Sequence, residues 1–282
     1  MRILSSSIII GILIFYLKRR VVKPISTWFK MSDNLEGRSA VALTPIRVWE
    51  YPNGRGLLSR LMNHERMLVF GDSIVAGQEL VRGETPYRDL VYARQAAYKL
   101  GVYAYKNLAE TGVGQFKGRH DLDKQRGWVY TFSNVIDHHK RDIVKSSLIV
   151  IAYGNNDWKQ YNTDNTTHTL DEVKHELSEN INKIRRINKK SEIIGVLETK
   201  AFRKGKDAWD MLGPNGFSYG DMVNAYIEVY KQEGVHIFDM RKYGIGETIE
   251  EYVDDRDHFT KEVHGRLGDA LASFIRDEKL KE

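Results

Sequence analysis

The chain has 282 residues and a formal net charge of +5, with 41% hydrophobic and 29% charged residues. This composition is typical of a globular protein with a full hydrophobic core. The absence of cysteine excludes disulfides, thiolate metal sites and a cysteine nucleophile. The basic residues are scattered rather than interleaved with aromatic residues in a stripe, so nucleic acid is not a predicted partner.

Residues 1–22 contain an uncharged, largely apolar run from Ile3 to Leu17 that ends at a basic triplet, residues 18–20. We interpret residues 1–22 as an uncleaved membrane-anchor helix, although the run is shorter than the ~20 residues that comfortably span a bilayer. A cleaved signal peptide is the alternative, but no small-residue cleavage site follows the run. A buried core helix is a third possibility. The excess of positive charge after the run favours a cytoplasmic main domain.

Residues 23–65 are predicted to connect the anchor to the main domain. Turn-forming residues interrupt this segment at Pro24, Gly37, Pro45 and Gly54, which argues against long regular elements. The alternating residues 46–51 predict a short strand or a strap that packs against the main body.

Residues 66–282 alternate between predicted strands and predicted helices. The strands are predicted at residues 67–70, 102–108, 147–153, 192–197 and 235–238. The helices are predicted at residues 87–100, 128–139, 170–187, 219–232 and 261–275. Such alternation predicts one α/β domain with a parallel sheet of about five strands and helices on both faces.

The first predicted strand ends abruptly at Gly71-Asp72-Ser73, a tight-turn sequence. Ser73 would therefore lie at the carboxyl edge of the sheet, where open α/β sheets bind their ligands. The ordinary alternative is that Ser73 is only the N-cap of the following helix.

Three further polar motifs follow predicted strands. They are Asn107–Gly112, Gly154–Asp157 and Asp255–Thr260. Because the carboxyl ends of parallel strands share one edge of a sheet, we expect these distant motifs to converge with Ser73.

The residue types in these motifs fit acyl transfer. Ser73 is the predicted nucleophile and His258 the base that activates it. Asp255 is predicted to accept a hydrogen bond from the imidazole and fix its tautomer. The backbone N–H groups of Ser73 and Gly112, together with the side-chain amide of Asn156, are the predicted oxyanion hole.

Several assignments have rivals. Asp254 and Asp257 flank the predicted acid, so either one is an alternative partner for the imidazole. Gly114 is a rival for the glycine of the oxyanion hole. Asp72 and Trp158 are predicted to line the substrate pocket, with a plain core role as the alternative for Trp158.

The four motifs, in this order over residues 67–275, resemble the four blocks of the SGNH (GDSL-type) hydrolases. The first block departs from the family name only at Ile74, where the name has leucine. The resemblance implies a flavodoxin-like three-layer α/β/α fold, ester hydrolysis and no cofactor. No metal site is predicted. Family members include lipases, thioesterases and carbohydrate O-acetyl esterases.

We therefore predict a membrane-anchored serine esterase that cleaves acyl esters, including O-acetyl groups on carbohydrate, through an acyl-enzyme on Ser73. One alternative is a phospholipase or acyl-thioesterase of the same family. Another is a non-catalytic, membrane-tethered module that binds a glycan or a lipid. No oligomeric state is predicted.

Overall fold

The structure, a computed structural model, describes residues 49–55, 64–77, 90–116, 131–159, 167–197, 200–254 and 257–279. These residues all belong to one unit of the chain, residues 42–282. The predicted anchor, residues 1–22, and most of the predicted connector lie outside the described residues. Among the helices that the structure describes, none is long and apolar enough to cross a membrane.

Five parallel strands form the central sheet, as the alternation predicts. They are β1 (Arg66–Gly71), β2 (Ala104–Asn107), β3 (Leu148–Ala152), β4 (Glu192–Leu197) and β7 (His236–Asp239). Their order across the sheet is β2-β1-β3-β4-β7, which is the flavodoxin-like order. A short antiparallel hairpin, β5 (Phe202–Arg203) and β6 (Lys206–Asp207), follows β4 and was not predicted.

Eight helices accompany the strands in the described residues. They are α1 (Ser73–Ala76), α2 (Tyr92–Leu100), α3 (Phe132–His138), α4 (Lys140–Lys145), α5 (Asn155–Lys159), α6 (Leu170–Ile187), α7 (Tyr219–Gln232) and α8 (Lys261–Lys279). Short 3₁₀ turns lie at Met240–Tyr243 and Ile249–Glu251. The bounds of α6 and α7 match the predicted ranges.

Capping explains why α6 and α7 begin where the sequence indicates. Thr169 accepts a hydrogen bond from the backbone N–H of Glu172, whose carboxylate accepts the N–H of Thr169 in return. Ser218 and Asp221 form the same reciprocal pair at α7. Each capping box satisfies two backbone donors that the first helical turn leaves without an intrahelical partner.

The helices cover both faces of the sheet. Along β1 the buried side chains alternate: Met67 and Val69 pack in one cluster, Leu68 and Phe70 in the other. The first cluster includes buried side chains of α2 and α8, and the second includes buried side chains of α3, α4, α6 and α7. Side chains of a strand point alternately to opposite faces, so this division gives the three-layer arrangement that the family resemblance implies.

The described part of the predicted strap lies against the edge strand β2. Glu50 and Tyr105 exchange two backbone hydrogen bonds, of 2.8 and 2.9 Å, in an antiparallel bridge. The carboxylate of Glu50 accepts from Arg94 at 2.7 Å, and the Trp49 indole donates to Asp142 at 3.0 Å. Residues 49–55 thereby cover part of a strand edge that would otherwise offer unpaired backbone groups.

The end of β1 leaves no room for a side chain at Gly71. A Cβ atom there would lie 2.2 Å from Cγ1 of Val75 and 2.7 Å from the carbonyl oxygen of Ala152. We expect Gly71→Ala to lower the free energy of unfolding by about 1–3 kcal/mol, the usual cost of overpacking. Urea denaturation measures this change.

Gly265→Ala in α8 is the matched control for this prediction. A Cβ at Gly265 meets no atom of the described residues within 4 Å, and alanine favours a helix over glycine by about 1 kcal/mol. This variant should be as stable as the wild type or more stable. Equal destabilisation of the two variants would contradict the prediction.

Candidate active site

The sheet order reverses between β1 and β3. The chain leaves β1 for β2 on one side and then returns to β3 on the other side of β1. The carboxyl ends of the two strands lie next to each other, because Gly71 pairs with Ala152 in register. The crevice at such a reversal is where open α/β sheets bind ligands, and the segments that carry Ser73 and Asn156 begin there.

Ser73 is the first residue of the single-turn helix α1. The preceding Asp72 is the N-cap, and its carboxylate accepts from the backbone N–H of Ile74 at 3.0 Å. Gly77 ends the turn in the left-handed conformation. The alternative that Ser73 serves as the N-cap is therefore wrong, because Asp72 holds that position and leaves the Ser73 hydroxyl available for another contact.

The structure brings that hydroxyl together with the imidazole of His258, although 185 positions separate the two residues. Nε2 of His258 lies 2.9 Å from Oγ of Ser73. On the other side of the ring, Nδ1 lies 2.6 Å from Oδ2 of Asp254. A ring with its proton on Nδ1 donates to Asp254 and accepts from Ser73, which is the order of a Ser-His-Asp triad.

Among the described residues, the carboxylate that contacts Nδ1 of His258 is that of Asp254, one of the two alternatives to the predicted Asp255. Asp255 itself lies outside the described residues. A closed turn positions Asp254, since the N–H of Val253 donates to the carbonyl of His258 at 2.9 Å. Oδ1 of Asp254 also accepts the backbone N–H groups of Asp257 and His258, both at 3.1 Å. This turn folds the Asp254 carboxylate back against the imidazole.

The contact shifts the pKa values of both groups. Burial alone would raise the pKa of Asp254, but the hydrogen bonds and charge of His258 lower it to about 2. Burial alone would lower the pKa of His258, but the hydrogen bond to Asp254 and the nearby carboxylate charges outweigh it and raise that pKa. The pair therefore favours an ionised Asp254 and stabilises a protonated imidazole.

Asn156 is the second residue of α5. Its Nδ2 donates to the carbonyl of Val113 at 2.8 Å and to Oδ2 of Asp72 at 3.3 Å. Asp72 is fully buried, and this burial raises its pKa to about 7 against the opposing charge of Lys159. Asp72 thus supports the Ser73 turn and the Asn156 amide from beneath, and its predicted role in lining the pocket is wrong because the residue has no exposed surface.

Gly112 lies in a turn in which the N–H of Val113 donates to the backbone carbonyl of Glu110 at 3.4 Å. Its φ of 78° is a conformation that glycine adopts without strain. The rival Gly114 is glycine for a different reason, since a Cβ there would lie 2.5 Å from a carboxylate oxygen of Asp157. The N–H of Glu110 donates to the carbonyl of Gly71 at 2.9 Å, which ties this segment to the end of β1.

A comparison with protein-family models matches residues 69–266, more than half of the chain, to the GDSL-like lipase/acylhydrolase family. The chain belongs to this family. The match includes the β1 turn, the Gly112 turn, the Asn156 segment and the Asp254–His258 loop, so the resemblance stated from the motifs is confirmed. The protein is an SGNH-type esterase.

Solved structures with this fold are similar to the GDSL-type domain at low sequence identity. One is a carbohydrate acetylesterase from Sinorhizobium meliloti, with 17% identity and a TM-score of 0.55, covering 76% of this chain and 99% of that one. Another is the M. smegmatis aryl esterase, with 16% identity and a TM-score of 0.55, covering 76% and 99%. A third is a family 2 carbohydrate esterase from Corynascus thermopiles that also carries a carbohydrate-binding domain, with 16% identity and a TM-score of 0.54, covering 75% and 65%. No curated protein matches the chain.

Trp158 lies in the core of this GDSL-type domain. It is 2% exposed, its indole N–H donates to the carbonyl of Met211 at 3.1 Å, and its ring packs edge-on against Tyr219. The Arg203 guanidinium covers the ring at 4.8 Å from its centroid. These contacts fit the core alternative rather than the predicted pocket-lining role.

A buried hydrogen-bond network behind the Asn156 segment was not predicted. The backbone N–H of Gln115 and the hydroxyl of Tyr226 donate to the two carboxylate oxygens of Asp157, at 2.7 and 2.8 Å. Gln115 donates to the Tyr226 hydroxyl and accepts from Asn180. The network holds Asp157, the residue next to Asn156, in place. Only Asp157 belongs to a recognisable sequence motif, so the sequence carried no signal for the other members.

Proposed function

We propose that this GDSL-type enzyme hydrolyses carboxylic esters through a covalent acyl-enzyme on Ser73. The observation that supports the proposal is the hydrogen-bonded chain from Ser73 through His258 to Asp254. His258 takes the hydroxyl proton on Nε2 while Oγ of Ser73 attacks the ester carbonyl. The imidazolium then returns that proton to the leaving alcohol, and water attacks the acyl-enzyme by the same route.

A burst experiment tests the acyl-enzyme. An aryl acetate mixed with a known amount of the full-length enzyme should release a stoichiometric burst of the phenol when deacylation is slow. A fluorophosphonate should add its phosphoryl mass to the peptide that contains Ser73. Folded enzyme that shows neither turnover nor labelling, yet binds a glycan or a lipid, would support the non-catalytic alternative instead.

The proposed oxyanion hole consists of the backbone N–H groups of Ser73 and Gly112 and the side-chain amide of Asn156. The amide already donates to Val113 and Asp72, and the 3.3 Å contact with Asp72 is the longer of the two. In the proposed mechanism the amide hydrogen near Asp72 turns to the oxyanion as negative charge develops there.

Asn156→Ala is expected to lower kcat by roughly 10²–10³-fold, which is the usual cost of losing one oxyanion donor. KM should change little, because the lost interaction forms mainly in the transition state. Steady-state kinetics with an aryl acetate measure both constants. Asn182→Ala in α6 is the matched control and should retain full activity. A loss in kcat no larger than that of the control would contradict the assignment.

Acetyl esters of carbohydrates are the proposed substrates. The support is the likeness to structures named as carbohydrate esterases, one of them an acetylesterase. A panel of acetylated sugars, long-chain esters and acyl thioesters, tested with one enzyme preparation, decides the class. Preference for the long-chain esters or the thioesters would favour the phospholipase or acyl-thioesterase alternative.

We further propose that residues 1–22 anchor the enzyme in a membrane. The support is the uncharged run Ile3–Leu17 and the basic triplet that follows it. Full-length protein should float with phospholipid vesicles in a density gradient, and a variant that lacks residues 1–22 should not. Flotation of both forms, or of neither, would contradict the proposal.

A further inference from the structure

A second carboxylate lies beside the imidazole of the proposed triad. Oδ1 of Asp257 is 3.6 Å from Nδ1 of His258. Asp257 is 2% exposed, and this Oδ1 has no hydrogen-bond partner within the described parts of the chain. Its other oxygen, Oδ2, pairs with the ammonium group of Lys159.

The pair joins two elements of the site that are far apart in sequence. Lys159 is the last residue of α5, which begins with the Asn156 segment, whereas Asp257 belongs to the His258 loop. A buried carboxylate is costly unless a cation or hydrogen bonds compensate it. Lys159 supplies that compensation at Oδ2, and Oδ1 is left facing the position where the imidazolium charge forms.

Titratable groups face His258 from each element around it. Asp254 and Asp257 come from its own loop, Lys159 comes from α5, Asp72 from the β1–α1 turn, and His264 from α8.

These groups act on the imidazole in opposite directions. Burial lowers the pKa of His258, Asp254 and Asp257 raise it, and the charge of Lys159 lowers it. Burial and the charge of His258 lower the pKa of His264 to about 3, so His264 adds no charge at neutral pH.

We propose that Lys159 and Asp257 act as a pair of positioning residues that set the charge at His258 during acyl transfer. This inference rests on the proposed function. Asp257 stabilises the imidazolium that forms when the Ser73 proton moves to Nε2. Lys159 limits this effect, so that the free enzyme keeps a neutral imidazole able to accept that proton. Neither member of the pair gains or loses a proton in the step.

The proposal predicts opposite effects for the two members of the pair. The acid limb of kcat/KM reports the protonation of the free-enzyme base. Asp257→Asn removes a negative charge and should move this limb to lower pH by about one unit, the lower end of the effect of a neighbouring charge. Lys159→Gln removes a positive charge and should move the limb to higher pH by a smaller amount.

Conservative and distant variants separate this effect from a structural one. Lys159→Arg keeps the charge and should leave the limb in place. Lys183→Gln removes a lysine of similar exposure, 23% against 22%, that pairs with Asp137 instead, and it should also leave the limb unchanged. Circular dichroism checks that each variant is folded. If Asp257→Asn does not fold, the comparison of Lys159→Gln with Lys159→Arg decides the question.

The readout is the pH profile of kcat/KM for an aryl acetate with the full-length enzyme. For variants with slow turnover, the pH dependence of fluorophosphonate labelling at Ser73 gives the same limb. Limbs of Asp257→Asn and Lys159→Gln that coincide with the wild type, or move in the same direction, would overturn the inference. Absence of turnover and labelling in the wild type would instead contradict the proposed function.

Discussion

Ser73→Ala is expected to lower kcat/KM for an aryl acetate by roughly 10⁴–10⁶-fold, the range for loss of a triad nucleophile. The variant lacks the oxygen that lies 2.9 Å from Nε2 of His258. Residue 73 can then neither attack the ester carbonyl nor carry the acyl group. Labelling by a fluorophosphonate should disappear together with turnover. Steady-state kinetics and intact-protein mass spectrometry measure the two effects.

Ser178→Ala is the matched control. Ser178 lies on α6, and its hydroxyl donates to Glu233 at 2.6 Å. This variant should keep both turnover and labelling. Turnover or labelling that survives Ser73→Ala at the wild-type level would exclude Ser73 as the nucleophile.

Asp254→Asn is expected to lower kcat by roughly 10⁴-fold, as in a serine hydrolase whose histidine loses its aspartate. The asparagine amide would face Nδ1 of His258 and favour the tautomer with its proton on Nε2. That tautomer cannot accept the Ser73 proton. Asp255→Asn, at the position that the motif spacing indicates, is expected to leave kcat within a few-fold of the wild type because Nδ1 already has its acceptor.

The pH dependence of the same pair adds a second test. Ionised Asp254, whose pKa lies at about 2, raises the pKa of His258. Loss of this charge should therefore lower the imidazole pKa and move the acid limb of residual activity to lower pH. A large loss in Asp255→Asn, with Asp254→Asn near the wild type, would return the role to Asp255.

The fold followed from local patterns. Short apolar runs between turn residues predicted the five strands, and the helical period of the apolar residues within 170–187 predicted α6. A parallel strand that is buried on both faces requires a continuous apolar run. Such a run can be recognised within a few residues of sequence, without knowledge of the tertiary structure. The hairpin β5–β6 was missed since its strands have two residues each, which is too short for a periodic pattern.

The convergence of Ser73 and His258 was predictable for a topological reason. The carboxyl ends of parallel strands share one edge, so polar motifs that follow such strands gather there. The identity of the acid at His258 was not predictable in this way. Asp254, Asp255 and Asp257 are neighbours in sequence, and the hydrogen bonds that close their loop select which carboxylate faces Nδ1.

The amino-acid sequence by itself determined the order of strands and helices, the family and the residue types of the site. The tertiary structure decided that Asp254 holds the imidazole, that Asp72 and Trp158 are buried supports, and that Lys159 pairs with Asp257. The physical reason is the distance in sequence over which each kind of interaction acts. Periodicity and capping act over a few residues, whereas ion pairs and buried hydrogen bonds join side chains up to 185 positions apart only after the sheet has formed.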